Sequence, residues 1–105
     1  MDIDDDDKPH VYVVQDLGKI SLLPAEKYGE LVICLDRPFS HKACAQAYRT
    51  LREEMSDITS ADFLLPIGSP AYIAFAGSLM REYAGIIRVL QWDRNTQQYF
   101  IQEVV

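Results

Sequence analysis

Two short loops hold the side chains best placed for chemistry. Asp36, Arg37, Ser40 and His41 follow the apolar run Leu31–Leu35, and Gly68 and Ser69 follow the apolar run Phe63–Ile67. In an open α/β sheet, ligands lie beyond the carboxyl ends of strands, where neighbouring connections diverge. Both loops precede a helix, and the Gly68–Ser69 turn exposes backbone N–H donors at a helix start, a place suited to an anion, with Arg37 adding positive charge. The expected ligand-binding set is therefore Asp36, Arg37, Ser40, Gly68 and Ser69. A plainer reading explains the same residues by local structure: Ser40 and Ser69 cap helices, Asp36 and Arg37 are solvated, and Gly68 permits the turn.

No stronger chemistry emerges from the spacing. There is no Gly-x-Gly-x-x-Gly, no phosphate-binding loop with its lysine, and no serine nucleophile flanked by glycines. His41 with Asp36 or Cys44 can be drawn as an acid–base or nucleophilic pair. On a helix, however, Cys44 falls on the apolar stripe and His41 near its edge, so His41 reads as a surface histidine. Glu53 and Glu54 are consecutive and point to different sides of a helix, which makes them solvating charges and not a carboxylate pair. Cys34 and Cys44 lack metal-ligand spacing and read as reduced core thiols. No catalytic residue, metal or cofactor is expected, and the balance leans away from an enzyme.

The aromatic residues suggest a different role. Six tyrosines and Trp92 are many for this length, and Tyr and Trp favour contact surfaces that are apolar at one end and wet at the other. Trp92, Tyr99 and Ile101 are the expected interface residues.

The elements that must position these groups follow from periodicity. Val11–Gln15 is a strand, and after a turn at Asp16–Lys19 the run Ile20–Leu23 suggests a hairpin partner. Pro24–Gly29 fits one helical turn stopped by Gly29 in a left-handed conformation. Leu31–Leu35 is apolar at every position, the mark of a central strand covered on both faces. A helix from Ser40 to about Met55 places Cys44, Ala47, Tyr48, Leu51 and Met55 on one stripe. Phe63–Ile67 is another covered strand, with Pro66 at its end. Gly68-Ser69-Pro70 then starts a helix, with Ser69 as N-cap and proline in the first position. This helix carries Tyr72, Ile73, Phe75, Ala76, Leu79, Met80 and Tyr83 inward and stops at Gly85. Ile86–Trp92 and Gln98–Val104 close the chain as a β-hairpin.

This order predicts one α/β domain over residues 10–105: a small mixed sheet with a βαβαβ core, Rossmann-like and three-layered, and a C-terminal hairpin. Crossovers are right-handed almost without exception. Two layouts satisfy that rule, both helices on one face or one on each; the doubly apolar strands favour helices on opposite faces. As the last strand, Gln98–Val104 is expected at a sheet edge, where unpaired backbone groups invite a homodimer.

Bulk composition narrows the partners. Asp4–Asp7 with Lys8 read as an engineered enterokinase site, so residues 1–9 are taken as a cloning leader. That leader carries −4 of the formal −6, leaving 11 acids and 9 bases for the rest. So nearly neutral a domain has little long-range pull on nucleic acid. Ala71–Met80 is far too short to span a bilayer, and a cytoplasmic protein without membrane contact is expected.

Val13-Val14-Gln15-Asp16-Leu17-Gly18-Lys19, Leu22 to Leu31, Leu65-Pro66-Ile67-Gly68-Ser69-Pro70 and Leu90-Gln91-Trp92-Asp93-Arg94 together resemble small uncharacterised proteins of tailed bacteriophages. The resemblance covers most of the domain. It implies a viral source and transfers no catalytic residue. The leading expectation is a non-catalytic phage accessory protein that binds a host or viral protein. A small-ligand, nucleotide or anion-binding domain and a virion or assembly component are the alternatives.

Overall fold

The computed structural model describes residues 8–105, so the leader reading lies, except for Lys8 and Pro9, outside the described residues. Pro9 belongs to the folded unit, since its carbonyl accepts the Glu30 N–H at 3.0 Å.

Five strands form one sheet: β1 (His10–Gln15), β2 (Glu30–Leu35), β3 (Phe63–Leu65), β4 (Ile87–Asp93) and β5 (Gln98–Val104), in the order β2-β1-β3-β4-β5. The first four run parallel, and β5 is antiparallel to β4. Two helices, α1 (Cys44–Glu54) and α2 (Pro70–Ala84), make the β2–β3 and β3–β4 crossovers, and a 3-10 segment (Leu23–Tyr28) lies in the β1–β2 connection. The expected α/β domain with a mixed sheet and a C-terminal hairpin is present.

The layers differ from expectation. Both helices pack on one face, sharing a core of Tyr12, Val14 and Leu64 with Ala47, Leu51, Met55, Ala76, Leu79 and Met80. The reason is the order of steps across the sheet. From β2 the chain crosses β1 to reach β3 and continues to β4 in the same direction, so two right-handed crossovers must fall on the same side. Its single reversal comes earlier, between β1 and β2, and that connection therefore crosses the other face. There the 3-10 segment stands where a helix was expected, placing Ala25 and Tyr28 over Val11, Val13, Phe63, Leu65 and Leu90.

Three local expectations fail with it. Ile20–Leu23 forms no strand and pairs with nothing in the sheet, because β1 has parallel partners on both sides. Leu31–Leu35 lies at the sheet edge, not in its centre. Its continuous apolar run reflects cover above and below, with Val32 against the helix-side core and Leu31 and Ile33 against the second. Gly29 is extended rather than left-handed. It is required there because a Cβ would sit 2.4 Å from the Pro9 carbonyl oxygen. At Gly85 the left-handed stop of α2 is found as expected, at φ 74. Pro66 follows β3 without costing the sheet a hydrogen bond.

The cysteines separate. Cys34 is buried, and burial first, then the Glu54 charge, push its thiol up to about 12. Cys44 is exposed at the first turn of α1, contrary to its expected place in the core, because the stripe that faces the sheet is Ala47, Leu51 and Met55.

Two outcomes check this packing. Ellman's reagent should label Cys44 in the native protein and reach Cys34 only after denaturation; equal rates for the two thiols would contradict the burial of Cys34. Leu79→Ala, at a fully buried position, should cost about 2–5 kcal/mol in chemical denaturation, the usual cost of truncating a core leucine.

Candidate functional site

The direction of strand addition reverses at β1, so the carboxyl ends of β1 and β3 form the sheet's switch point. The two strand ends are tied there: the Gln15 N–H donates to the Ile67 carbonyl at 2.9 Å, and the Asp16 N–H to the Leu35 carbonyl at 2.8 Å. Gln15 is 2% exposed. Its Nε2 donates to the Arg37 carbonyl at 3.0 Å, and its Oε1 accepts the Ser69 N–H at 2.9 Å. One carboxamide thus joins the ends of three strands and takes up a backbone donor at the start of α2.

Gly68 makes this contact possible. It sits at φ +124, and a Cβ there would lie 2.5 Å from that of Gln15. Above the carboxamide opens a cleft of about 500 Å³, lined by Gly68 and Ser69 together with Phe39, His41, Cys44 and Tyr72.

Of the five expected ligand residues, Gly68 and Ser69 meet at this cleft. Arg37 contributes its carbonyl to Gln15, but its guanidinium points to solvent, pairs with Asp36 at 3.2 Å and lies over the Phe39 ring. Ser40 precedes a short 3-10 turn (His41–Ala43), accepting the Ala43 N–H on its carbonyl. Neither Asp36 nor Ser40 lines the cleft. Neither serine hydroxyl makes a capping hydrogen bond, although both residues occupy the N-cap position with extended backbone.

A second cleft, of about 570 Å³, lies on the face covered by the 3-10 segment. Ile20 and Pro24 form one wall, Pro66, Ile67 and Trp92 the others, with Leu90 beneath, and no charged side chain lines it. Trp92 packs edge-on against Tyr99 at 4.9 Å, directly across the β4–β5 ladder. Tyr99 is fixed in turn: the Tyr28 hydroxyl donates to its carbonyl at 3.0 Å, and the Tyr28 ring packs edge-on against both Tyr99 and Phe63. Burial raises the Tyr99 phenol above its ordinary pKa. Trp92 and Tyr99, two of the expected interface residues, line this cleft, and exposed Ile101 follows on the same face of β5.

At the opposite end of the sheet, buried Asp62 is fully engaged. Its carboxylate accepts the backbone N–H groups of His10 and Thr59, each at 2.8 Å, and the Thr59 hydroxyl at 3.2 Å. These bonds hold the loop before β3, and the His10 Nδ1 lies 3.6 Å from the same carboxylate. Among the described residues no three His, Cys, Asp or Glu side chains come together as a metal site, and no helix is long and apolar enough to cross a membrane.

A family model for the phage Pam3 gp32-like protein matches residues 9–105. The chain belongs to this family. No curated protein and no solved structure matches it. The resemblance to small phage proteins read from four stretches of the chain is thus confirmed, and the protein is a phage-associated one.

Sequence reading missed Gln15 and the Ile20–Pro24 wall. The signal for Gln15 was present, since a lone amide ends the otherwise apolar run Val11–Val14 at the carboxyl end of a strand. For Ile20 there was none beyond its hydrophobicity.

At this helix start the Gln15 carboxamide, and not the Ser69 hydroxyl, takes up a backbone donor. Ser69→Ala should change stability by no more than about 0.5 kcal/mol, as an ordinary surface substitution does, because the hydroxyl makes no cap bond. Gln15→Ala should cost roughly 1–3 kcal/mol by stranding a buried donor and acceptor. Urea denaturation of the two variants decides; a larger loss for Ser69→Ala would refute this assignment.

Proposed function

We propose that this phage protein is non-catalytic and works by binding another protein, host or viral, in the cytoplasm of the infected cell. The binding surface is the second-face cleft, to which the β4–β5 hairpin contributes Trp92 and Tyr99. One contrast supports this reading: the polar groups at the switch point are already engaged, whereas the second-face cleft keeps an exposed tryptophan at its rim. At the switch point, where a doubly wound sheet commonly holds its ligand, the Gln15 carboxamide already occupies the Ser69 N–H and the Arg37 guanidinium points away. The second-face cleft is apolar, uncharged and open, with Trp92 38% and Ile20 54% exposed at its rim.

An exposed tryptophan beside a preformed apolar cleft is the composition of a protein-binding hot spot. Such residues supply large, rigid contact area at low entropic cost, surrounded by groups that exclude water. The pinning of the 3-10 segment to β5 through Tyr28 keeps the cleft formed before a partner arrives, which reduces the ordering cost of binding.

Peptides selected from a random library against the intact protein provide the test. The expected outcome is that the selected peptides compete with one another and that Trp92→Ala weakens them at least about tenfold, or roughly 1.4 kcal/mol, while Arg37→Ala has no effect. Inorganic phosphate should leave the melting temperature unchanged. Peptides that bind Trp92→Ala and Ile20→Asp as tightly as the parent, or a phosphate-dependent rise in melting temperature lost in Arg37→Ala, would overturn the reading in favour of the switch-point cleft.

A further inference from the structure

β5 ends the sheet, and six of its seven residues are exposed, Tyr99 alone being buried. Among the described residues no strand pairs with its outer edge. Edge strands are ordinarily blunted by lysine, proline, a bulge or an inward-pointing charge. β5 (Gln-Tyr-Phe-Ile-Gln-Glu-Val) contains no lysine, glycine or proline. Its single charge, Glu103, lies 3.4 Å from Arg88 of the same chain.

Cross-strand partners share a face of the sheet. Ile101 stands opposite Leu90 on the second face, and Gln102 opposite Val89 on the helix side. Tyr99, Ile101 and Glu103 therefore lie on one face of β5 and Phe100, Gln102 and Val104 on the other. The edge presents apolar side chains both above and below, with exposures of 39% at Phe100, 44% at Ile101 and 63% at Val104.

We infer that β5 pairs antiparallel with β5 of a second copy about a two-fold axis at Ile101, joining the two sheets edge to edge. The inference rests on the reading of this chain as a binding protein and assigns the β5 edge to self-association, leaving the second-face cleft for another protein.

Length and charge select the register. Ile101 is the midpoint of β5, so only this axis pairs all seven residues: Gln98 with Val104, Tyr99 with Glu103, Phe100 with Gln102, and Ile101 with itself. Phe100 then lies diagonal to both Phe100 and Val104 of the second copy, within the roughly 7–8 Å at which large side chains meet. The two Glu103 carboxylates fall four residues apart along the ladder, about 14 Å at strand rise, beyond the Debye length of ~8 Å. Moving the axis to Gln102 would bring those carboxylates to diagonal positions, and moving it to Glu103 would place them face to face. An axis at Phe100 would leave Val104 opposite the 94–97 turn. Seven residues a side is well below the roughly 20–30 of a standard interface, so the dimer should form in the micromolar range and exchange readily.

Sedimentation of the whole chain from low micromolar to near-millimolar concentration tests association. The expected mass rises from one chain to two, and Ile101→Asp, which opposes two carboxylates at the axis, holds it at one. Ile101 is exposed, so the unfolding midpoint of that variant at low concentration should match the parent. Cross-linking tests the register in a Cys44→Ser background. Directly opposed strand residues have Cα atoms ~4.5–5.5 Å apart, within disulfide reach, so Ile101→Cys should oxidise to a linked dimer much faster than Glu103→Cys. A single-chain mass at every concentration would overturn self-pairing, and faster linking by Glu103→Cys would overturn the Ile101 axis. Peptide binding at the Trp92 cleft is measured independently. A monomer that still binds those peptides refutes this inference alone, whereas a β5-linked dimer that binds none refutes the cleft reading alone.

Discussion

A central strand with no polar face must be covered twice, and the described residues supply only two α-helices for the purpose. Val11–Val14 of β1 are buried above and below, yet successive right-handed crossovers in one direction put α1 and α2 on the same side. Cover for the other side falls to the β1–β2 connection, of which only Leu23–Tyr28 is regular. That segment covers β1 and β2 and touches β5 only at Tyr99, through Tyr28, leaving the rest of β5 open. The uneven cover explains why the second-face core is compact around Ala25 and Tyr28 and why apolar surface remains open from Ile20 to Ile101.

The Gln15 carboxamide is the polar counterpart of this packing. At the reversal of strand order three chain segments leave the sheet together, and their backbone groups lose the ladder as a partner. Buried amides and carbonyls must still be satisfied. One side chain with an acceptor and a donor at its tip meets two of these needs, the Ser69 N–H and the Arg37 carbonyl. Gly68 matches it by omission, since any Cβ would collide with the carboxamide stem. The same satisfaction lowers the capacity of the helix start to hold an anion: a donor already paired in a buried site contributes little to a ligand.

Tyr28 couples the two halves of the second face. Its ring packs edge-on between Phe63 of β3 and Tyr99 of β5, and its hydroxyl reaches the Tyr99 backbone. Arg88 adds a second clamp beside it, with its guanidinium stacked 4.3 Å over Phe63, donating to the Ser60 carbonyl and pairing with Glu103. The antiparallel hairpin is thereby fastened to a parallel sheet through aromatic and charged contacts as well as the β4 ladder. Its outer edge and its outward side chains remain available.

Local structure was set by the amino-acid sequence itself. Gly68-Ser69-Pro70 starts α2 and Gly85 stops it because proline and glycine restrict or permit backbone angles wherever they occur. The hairpin strands were likewise legible, since their turn, Arg94–Gln97, is held by Asp93 through bonds only two to four residues long. What tertiary structure decided is which surfaces those elements meet. Leu31–Leu35 reads as a central strand because periodicity reports cover above and below and says nothing of lateral neighbours. Cys44 sits on an apolar stripe by spacing, yet the positions of that stripe buried in the core are Ala47, Leu51 and Met55. Ile20–Leu23 has the composition of a strand, yet both edges of β1 are taken by β2 and β3. Gln15 became central only when strands 20 or more residues apart in sequence converged on it, a juxtaposition that depends on the direction of each crossover and that no local pattern encodes.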